Sequence, residues 1–386
     1  MNPPCERAAG SRPPSRRAAR PYSRGMPDIH AARRSRIQDQ AAAIGADAAL
    51  ITSGVNVRYL TGLVSSNAAL LLPVSGTAVL ATDSRYAPAA QRDCPDLELV
   101  TDRFTEPALA ARAVAGGLAA VGFEEHEMTV ERHQALAASG LTLIPMHRAV
   151  EGLRIVKDEA EIALLARACQ ITAESFEAVL ADIWPGRTER ELAIALEREM
   201  TDRGAEKLAF DTIVASGPNG DTPHHVPTDR PFFAGDLVTI DCGARYAGYH
   251  ADMTRTVAVG EPAAWQREIY DLVAAAQQAG LAAVAVGAEV ADVDAAARDL
   301  ISAAGHGGHF GHGTGHGVGL EIHEAPMIGY GRTGRLTAGV PVTVEPGIYL
   351  PGRGGVRIED TLVVRAGTGA IPGELLTTVT RELLVL

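Results

Sequence analysis

Residues 312–324 read HGTGHGVGLEIHE, with His312, His316 and His323 set among glycines and an acid close behind. Imidazoles on so pliable a backbone fit either a plain loop or a metal site, and carboxylates elsewhere in the chain weigh between the two. In DLVTIDCGARYAGYHADMTRTVAVG (236–260), two β-like runs flank a turn. A turn centred between Tyr246 and Ala247 sets Asp241 opposite Asp252, and directly opposed Cβ atoms lie about 4.5–5.5 Å apart. In VTVEPGIYLPGRGGVRIEDTLVV (342–364), a turn centred on Gly352 sets Glu345 opposite Glu359. Asp241 and Glu345 stand in otherwise apolar runs, VTID and VTVE. Acids are rarely buried in such surroundings without a partner. One acid pair alone reads as a solvated face; two pairs and a histidine-rich segment together read as a metal site.

Carboxylates and an imidazole are hard-to-borderline ligands that suit Mn²⁺, Co²⁺, Fe²⁺ or Zn²⁺. Two dications cancel the charge of four carboxylates, and in two-metal sites the ions sit about 3.5–4 Å apart. His316 completes the ligand set, and its glycine neighbours are expected to let the backbone pack close to the ions. His306 and His309, just upstream, read as incidental.

Such residues need a scaffold. A chain of 386 residues suggests two domains at roughly 100–200 residues each. The net charge of −12 argues against nucleic acid as a partner, because phosphate binding wants a basic face. No apolar run approaches the roughly 18 residues of a membrane span. Cys5, Cys94, Cys169 and Cys242 are scattered, which suits a reducing, cytoplasmic setting. Residues 1–25 carry six arginines and one acid and read as a disordered basic tail, with Met26 as an alternative start.

Residues 27–150 read as a small α/β domain. Helices are expected near 28–45, 106–118 and 129–138, and strands in AALITSG, ALLLP and TAVLAT and near 121–123 and 141–144. GLRIVKDEAEI (152–162) marks a boundary. Beyond it, over 155–386, helix pairs alternate with antiparallel strands, an α+β signature. Asp158 can cap a helix running to about 183, and Thr188 and Glu191 form a capping-box pattern opening the helix 189–203. Helices follow at 264–286 and 292–304, then β structure from about 340. The block of helix pair plus hairpin occurs twice, as an ancient duplication would leave it.

The segments SGPNGDTPHHVPTDR (216–230), 236–260, FGHGTGHGVGLEIHEAP (310–326), VTVEPGIYL and VRIED occur in this order. Together they resemble the proline-specific pita-bread metallopeptidases, the Xaa-Pro aminopeptidases and Xaa-Pro dipeptidases (prolidases). VNVRYLTGLVSSNAALLL (55–72) resembles the creatinase-like N-terminal domain of that group. The resemblance implies a dinuclear exopeptidase that cleaves the bond before proline, with two divalent ions, Mn²⁺ foremost. It implies that Asp241 binds one ion in bidentate fashion, that Asp252 and Glu359 bridge both, and that His316 and Glu345 bind the other. Glu345 would also take and pass on the proton, and His224, His312 and His323 would line the substrate. Tyr349 and Arg357 would stand behind the last two ligands. A homodimer is implied, one copy's N-terminal domain closing over its neighbour's site.

Other functions on this fold are methionine-aminopeptidase-like cleavage, a creatinase-like C–N hydrolase that works without metal, and a silent binding module. The last two usually lack the ligand acids, which this chain keeps. Three positions depart from the usual pattern. Asp221 stands where a small residue is common, and Val226 where arginine is frequent. Met327 replaces an arginine that could grip a dipeptide's carboxylate, a task open to Arg332 or Arg335.

Overall fold

A computed structural model describes residues 27–367 and 369–386. The basic tail expected over 1–25 lies outside the described residues.

The N-terminal half is a mixed six-stranded sheet flanked by helices. Its strand order is Glu98–Thr101, Val79–Thr82, Ala68–Pro73, Ala48–Ile51, Ala120–Phe123, Thr142–Pro145. The central strands read as unbroken apolar runs because both faces are covered. Ala48, Leu50, Ala69, Leu71 and Val79 face Leu109, Ala110 and Ala113 of the helix Thr105–Ala115. Their alternates Ala49, Ile51, Leu70, Leu72 and Leu80 face a second core. That core takes Ile37 and Ala41 from the helix Pro27–Ala43. It also takes Leu165, Ala168 and Cys169 from the helix Glu159–Val179 of the C-terminal half. The two halves therefore share one apolar layer.

Three elements depart from the sequence reading. The helix Gly54–Thr61 was not expected between the first two strands, nor were the helix Ala87–Asp93 and the strand Glu98–Thr101. Gly54–Thr61 carries the β-branched Val55 and Val57, which weaken a helical signal. It ends at Gly62, whose φ of 77° supplies the left-handed cap.

In the C-terminal half, two helix pairs cover two curved sheets. Glu159–Val179 begins at the expected cap, Asp158, which with Glu161 forms a capping box, and Glu189–Asp202 begins with the expected box of Thr188 and Glu191. They pack on Val214, Val238, Ile240 and Val257 of a three-stranded sheet, Ile213–Ser216, Leu237–Cys242 and Met253–Ala258. Ala264–Ala283 and Val290–Ala303 contribute Leu281, Val290 and Val293 to a core with Val342, Val344 and Leu362 of the second, five-stranded sheet. Side chains alternate along a strand, so the opposite faces of both sheets turn inward. Those inner faces are polar: Thr239, Asp241, Thr254 and Thr256 on one, Thr343, Glu345, Glu359 and Thr361 on the other.

A buried ionic cluster locks the halves together beside this interior. Glu324 accepts from Arg154 Nη2 at 2.5 Å and from Lys157 Nζ at 2.7 Å. Arg154 Nη1 donates to Asn56 Oδ1 at 2.8 Å, and Asn56 Nδ2 donates to Glu124 at 2.6 Å and to Glu151 at 2.7 Å. Arg154 lies in the helix Ala149–Arg154, which straddles the expected boundary at 150. Glu324 follows His323 directly, so the cluster also pins a segment of the site. Burial lowers the pKa of Lys157, and Glu324 opposes that shift. Removing one charge from a buried cluster leaves the others uncompensated and costs about 3–5 kcal/mol. Glu324→Gln should accordingly destabilise the protein by an amount in that range, read as a lowered urea midpoint.

Candidate metal centre

The first hairpin differs from the expected register. Asp241 pairs with Thr254 and Cys242 with Met253, while Arg245 faces His250 and Tyr246 faces Tyr249. The turn is Ala247-Gly248, with φ of 49° and 92°. Both central residues of a type I′ turn need positive φ, and this turn matches the twist of the strands. Asp252 thus lies two positions from the residue opposite Asp241. An even slip leaves a side chain on its original face, whereas an odd one reverses it. Asp241 and Asp252 therefore still share the inner face.

The second hairpin keeps the expected register. Gly347 faces Arg357 and Tyr349 faces Gly355, while on the sheet side Val344 faces Asp360. Glu345 and Glu359 fall at the break between these two ladders. There the backbone bends, Glu345 N donating to Thr314 O at 2.7 Å and Glu359 N to Thr254 O at 3.1 Å. His316 sits on the short strand Gly315–Gly317, packed between two others. Its glycines answer to those neighbours rather than to ions. A Cβ on Gly315 would meet Thr343 O at 2.0 Å, and one on Gly317 would meet Ala325 O at 2.3 Å.

The five residues converge on one cavity of about 1440 Å³, also lined by His224, His312, His323 and Arg357. Ligand atoms of Asp252, His316 and Glu359 lie within 4.8 Å of one another. His316 Nδ1 donates to Gly317 O at 2.9 Å, which leaves the Nε2 lone pair facing the carboxylates. Nε2 is 3.4 Å from Asp252 Oδ2 and 3.5 Å from Glu345 Oε1.

Arg357 orders the rest. Its Nη2 donates to Asp241 Oδ2 at 2.7 Å, and its Nε to Thr254 Oγ1 at 3.0 Å. Thr254 Oγ1 in turn donates to Glu359 Oε2 at 2.8 Å. Arg357 Nη1 donates to Tyr349 Oη at 3.0 Å, and Tyr349 Oη to His312 Nε2 at 2.8 Å. His312 Nδ1 donates to Gly313 O at 2.8 Å. A guanidinium only donates and a carbonyl only accepts, so Arg357 at one end and Gly313 O at the other, with His312 neutral, set the direction from Arg357 through Tyr349 to His312. One oxygen of each outer acid is consumed. The other, Asp241 Oδ1 and Glu359 Oε1, is buried without a hydrogen-bond partner among the described residues. Buried carboxylate oxygens are not left bare without cost. Two bare oxygens, a free imidazole nitrogen and two further acids make a donor set that fits divalent cations.

Burial raises the Asp252 carboxyl well above its ordinary value, with Asp241 and Glu345 adding to it. Glu359 is raised by burial and by Asp252, Glu345 and Asp241. Glu345 is raised by burial, against the pull of His316 and Arg357. Burial and then Arg357 lower His312 to about 4, and burial, His316 and His224 lower His323. Both rings are thus neutral at pH 7 and carry one N–H each. Tyr349 does not line the cavity; it stands behind His312.

Sequence reasoning missed two supporting acids. Glu189, fully buried, accepts six hydrogen bonds from the segment 216–228. Asp294 accepts from Thr314 N and Oγ1 and pairs with Arg298, which donates to the carbonyls of Phe310 and His312. Glu189, in the first turn of its helix, reads as a complement to the dipole, and Asp294, a turn further into its own, reads as half of an i,i+4 pair with Arg298. The departures found in sequence also have places. Asp221 Oδ2 accepts from Gly352 N at 2.6 Å and ties its loop to the second hairpin's turn. Met327 and Arg332 line the cavity, whereas Arg335 is drawn off to Glu289 and Gly287 O.

An open cavity floored by buried acids and one imidazole is a site that can hold divalent cations. The chain belongs to metallopeptidase family M24, which residues 163–366 match, and residues 33–156 match the creatinase/prolidase N-terminal domain. The expected fold, a creatinase-like α/β domain ahead of an α+β pita-bread domain, is the one present. The chain is 46% identical to the Xaa-Pro dipeptidase of Pyrococcus furiosus over 215 residues, 56% of this chain and 62% of that protein. It superposes on the Xaa-Pro dipeptidase of Bacillus anthracis with a TM-score of 0.88 at 37% identity, covering 92% of this chain and all of that one. The X-Pro aminopeptidase of Thermotoga maritima gives 0.82 at 34%, covering 90% and 100%. Among the described residues, no helix is long and apolar enough to cross a membrane.

The raised carboxyls set a pH dependence. Without metal, the folded protein binds these protons more tightly than the unfolded chain, whose carboxyls titrate near about 4. The stability they contribute is present below that value and is lost as pH rises toward the raised folded values, by up to about 1.4 kcal/mol per unit for each group. Urea midpoints of the metal-free protein should fall as pH rises above the unfolded carboxyl range of about 4. Glu359→Gln should flatten that slope. Added Mn²⁺ should lift the midpoint of the wild type far more than that of the variant.

Proposed function

We propose that this metallopeptidase removes the residue preceding proline, from Xaa-Pro dipeptides or from the N-terminus of longer peptides. The observation that carries the reading is the pair of oriented, unpartnered oxygens, Asp241 Oδ1 and Glu359 Oε1, in the cavity where His316 and the other two acids meet. Similarity to Xaa-Pro dipeptidases and to an X-Pro aminopeptidase supports the choice of bond. In this reading Asp241, Asp252, His316, Glu345 and Glu359 hold two divalent ions, Mn²⁺ foremost. When bound, the ions supply an ionised water at neutral pH and a polarised carbonyl.

The side chains do the rest. Glu345 accepts the proton of the attacking water and delivers it to the departing proline nitrogen. That nitrogen carries no hydrogen while it is part of the tertiary amide, so the leaving amine depends on this delivery. His224 and His323 orient the substrate and donate to the oxyanion. Burial and Arg357 keep His312 neutral, and Gly313 O and Tyr349 hold it in one tautomer. Arg357 holds Asp241 directly and Glu359 through Thr254, so a change at Arg357 disturbs both acids at once.

A homodimer is supported by exposed Val226 and Tyr330 at the cavity mouth, 75% and 88% accessible in a single copy. A cytoplasmic location is supported by Cys94, Cys169 and Cys242, all buried and unpaired. With Mn²⁺ added, the protein should hydrolyse Xaa-Pro or Xaa-Pro-Zaa peptides and leave Xaa-Ala controls largely intact. His316→Ala and Asp252→Asn should each lower kcat/KM by at least about 100-fold, since even groups behind a metal ligand are worth 10- to 100-fold. An absence of turnover on both peptide lengths would sink the assignment.

A further inference from the structure

His224 is exposed, and its ring has no hydrogen-bond partner among the described residues. It nonetheless lines the cavity beside His312, His316 and His323. Its position must therefore come from the backbone that carries it. That backbone is an arc, 216–228, and both of its ends hang on one carboxylate. Glu189 Oε1 accepts from Ser216 N at 2.8 Å, Ser216 Oγ at 2.7 Å and Asn219 Nδ2 at 2.9 Å. Oε2 accepts from His225 Nε2 at 2.9 Å, Thr228 N at 3.0 Å and Thr228 Oγ1 at 2.7 Å. The middle of the arc is held separately, by Arg357 Nη1 on Pro223 O at 3.3 Å and by Asp221 on Gly352 N.

Glu189 opens the helix Glu189–Asp202, where any acid complements the helix dipole. That role needs no burial. Here the side chain is fully buried and carries six donors, all from the arc. We infer that Glu189 is a positioning residue, whose buried carboxylate sets His224 against the substrate through the His225–Thr228 limb. Burial would raise the Glu189 pKa, but the hydrogen bonds from Thr228, His225, Ser216 and Asn219 together bring it down to about 2. The anchor is therefore an anion throughout the working range. An amide cannot replace it. Glutamine presents one acceptor oxygen, and its NH₂ would confront a backbone N–H that can only donate, that of Thr228 or of Ser216.

The test is Glu189→Gln in the Mn²⁺-loaded full chain, alone and combined with His224→Ala. This kinetic arm rests on the Xaa-Pro peptidase reading. Glu189→Gln should lower kcat/KM by about 10- to 100-fold, the scale of a displacement near 1 Å at a reacting centre. In the His224→Ala background it should lower it no more than about twofold further, because coupled residues are non-additive. Bound metal should be unchanged. A second readout needs no turnover: the imidazole signals of the metal-free protein by NMR, with that of His224 identified by its loss in His224→Ala. Glu189→Gln should shift or broaden that signal and leave those of His312 and His323 in place. Losses that multiply in the double variant, or a His224 signal that does not move, would overturn the inference. Should Glu189→Gln fail to fold, Thr228→Val and His225→Ala each remove one donor from Oε2 and are judged by the same criteria. Wild-type protein without Xaa-Pro turnover would refute the proposed function, and the imidazole signal would still decide the role of Glu189.

Discussion

Acidic side chains gathered in one buried place dominate this molecule. Asp241, Asp252, Glu345 and Glu359 are drawn from two hairpins and meet at the inner faces of two sheets. Two carboxylates about 4 Å apart repel by about 4 kcal/mol at an effective dielectric near 20, and oxygens of Asp252 and Glu359 lie within 4.8 Å of each other. Protons can relieve the repulsion, as the raised carboxyls indicate. Divalent cations relieve it better and are what the donor set fits. The centre therefore has to be built by packing that is strong enough to oppose its own electrostatics.

That packing lies on the outside of the sheets. Each sheet buries one face against a helix pair, which frees the other face to be polar without forfeiting a core. Tethers then aim the polar side chains. Arg357 reaches Asp241, Thr254 and Tyr349 from one guanidinium. Glu189 and Asp294 play matching parts in the two helix pairs. Each sits on the second helix of its pair, and each holds a loop that brings a histidine to the cavity, His224 in one case and His312 in the other. The Arg154–Lys157–Glu324 cluster ties a third histidine segment to the N-terminal half. The reacting side chains are exposed or half-buried, whereas the groups that aim them are buried.

Much of this was legible in the residues alone. The cap at Asp158 and the capping box at Thr188 are local signals, complete within four residues, and both are present. The face shared by Asp241 and Asp252 was also legible, even though the register was misplaced. Strand periodicity is two, and the turn at Ala247-Gly248 shifted the pairing by two. The helix Gly54–Thr61 was not legible because its valines suit a strand equally well, and its identity comes from packing Val57 and Leu60 into the shared core.

Spacing along the chain sufficed to choose the residue types of the site and the face of the strand each occupies, because those properties depend on neighbours a few positions away. Folding in three dimensions decided which oxygen of each acid is consumed and that Glu189 and Asp294 serve as anchors. Those outcomes join atoms tens to more than a hundred positions apart, such as Arg357 and Asp241. No local pattern encodes such a meeting, since it exists only once helices on the outer faces have brought the two sheets together.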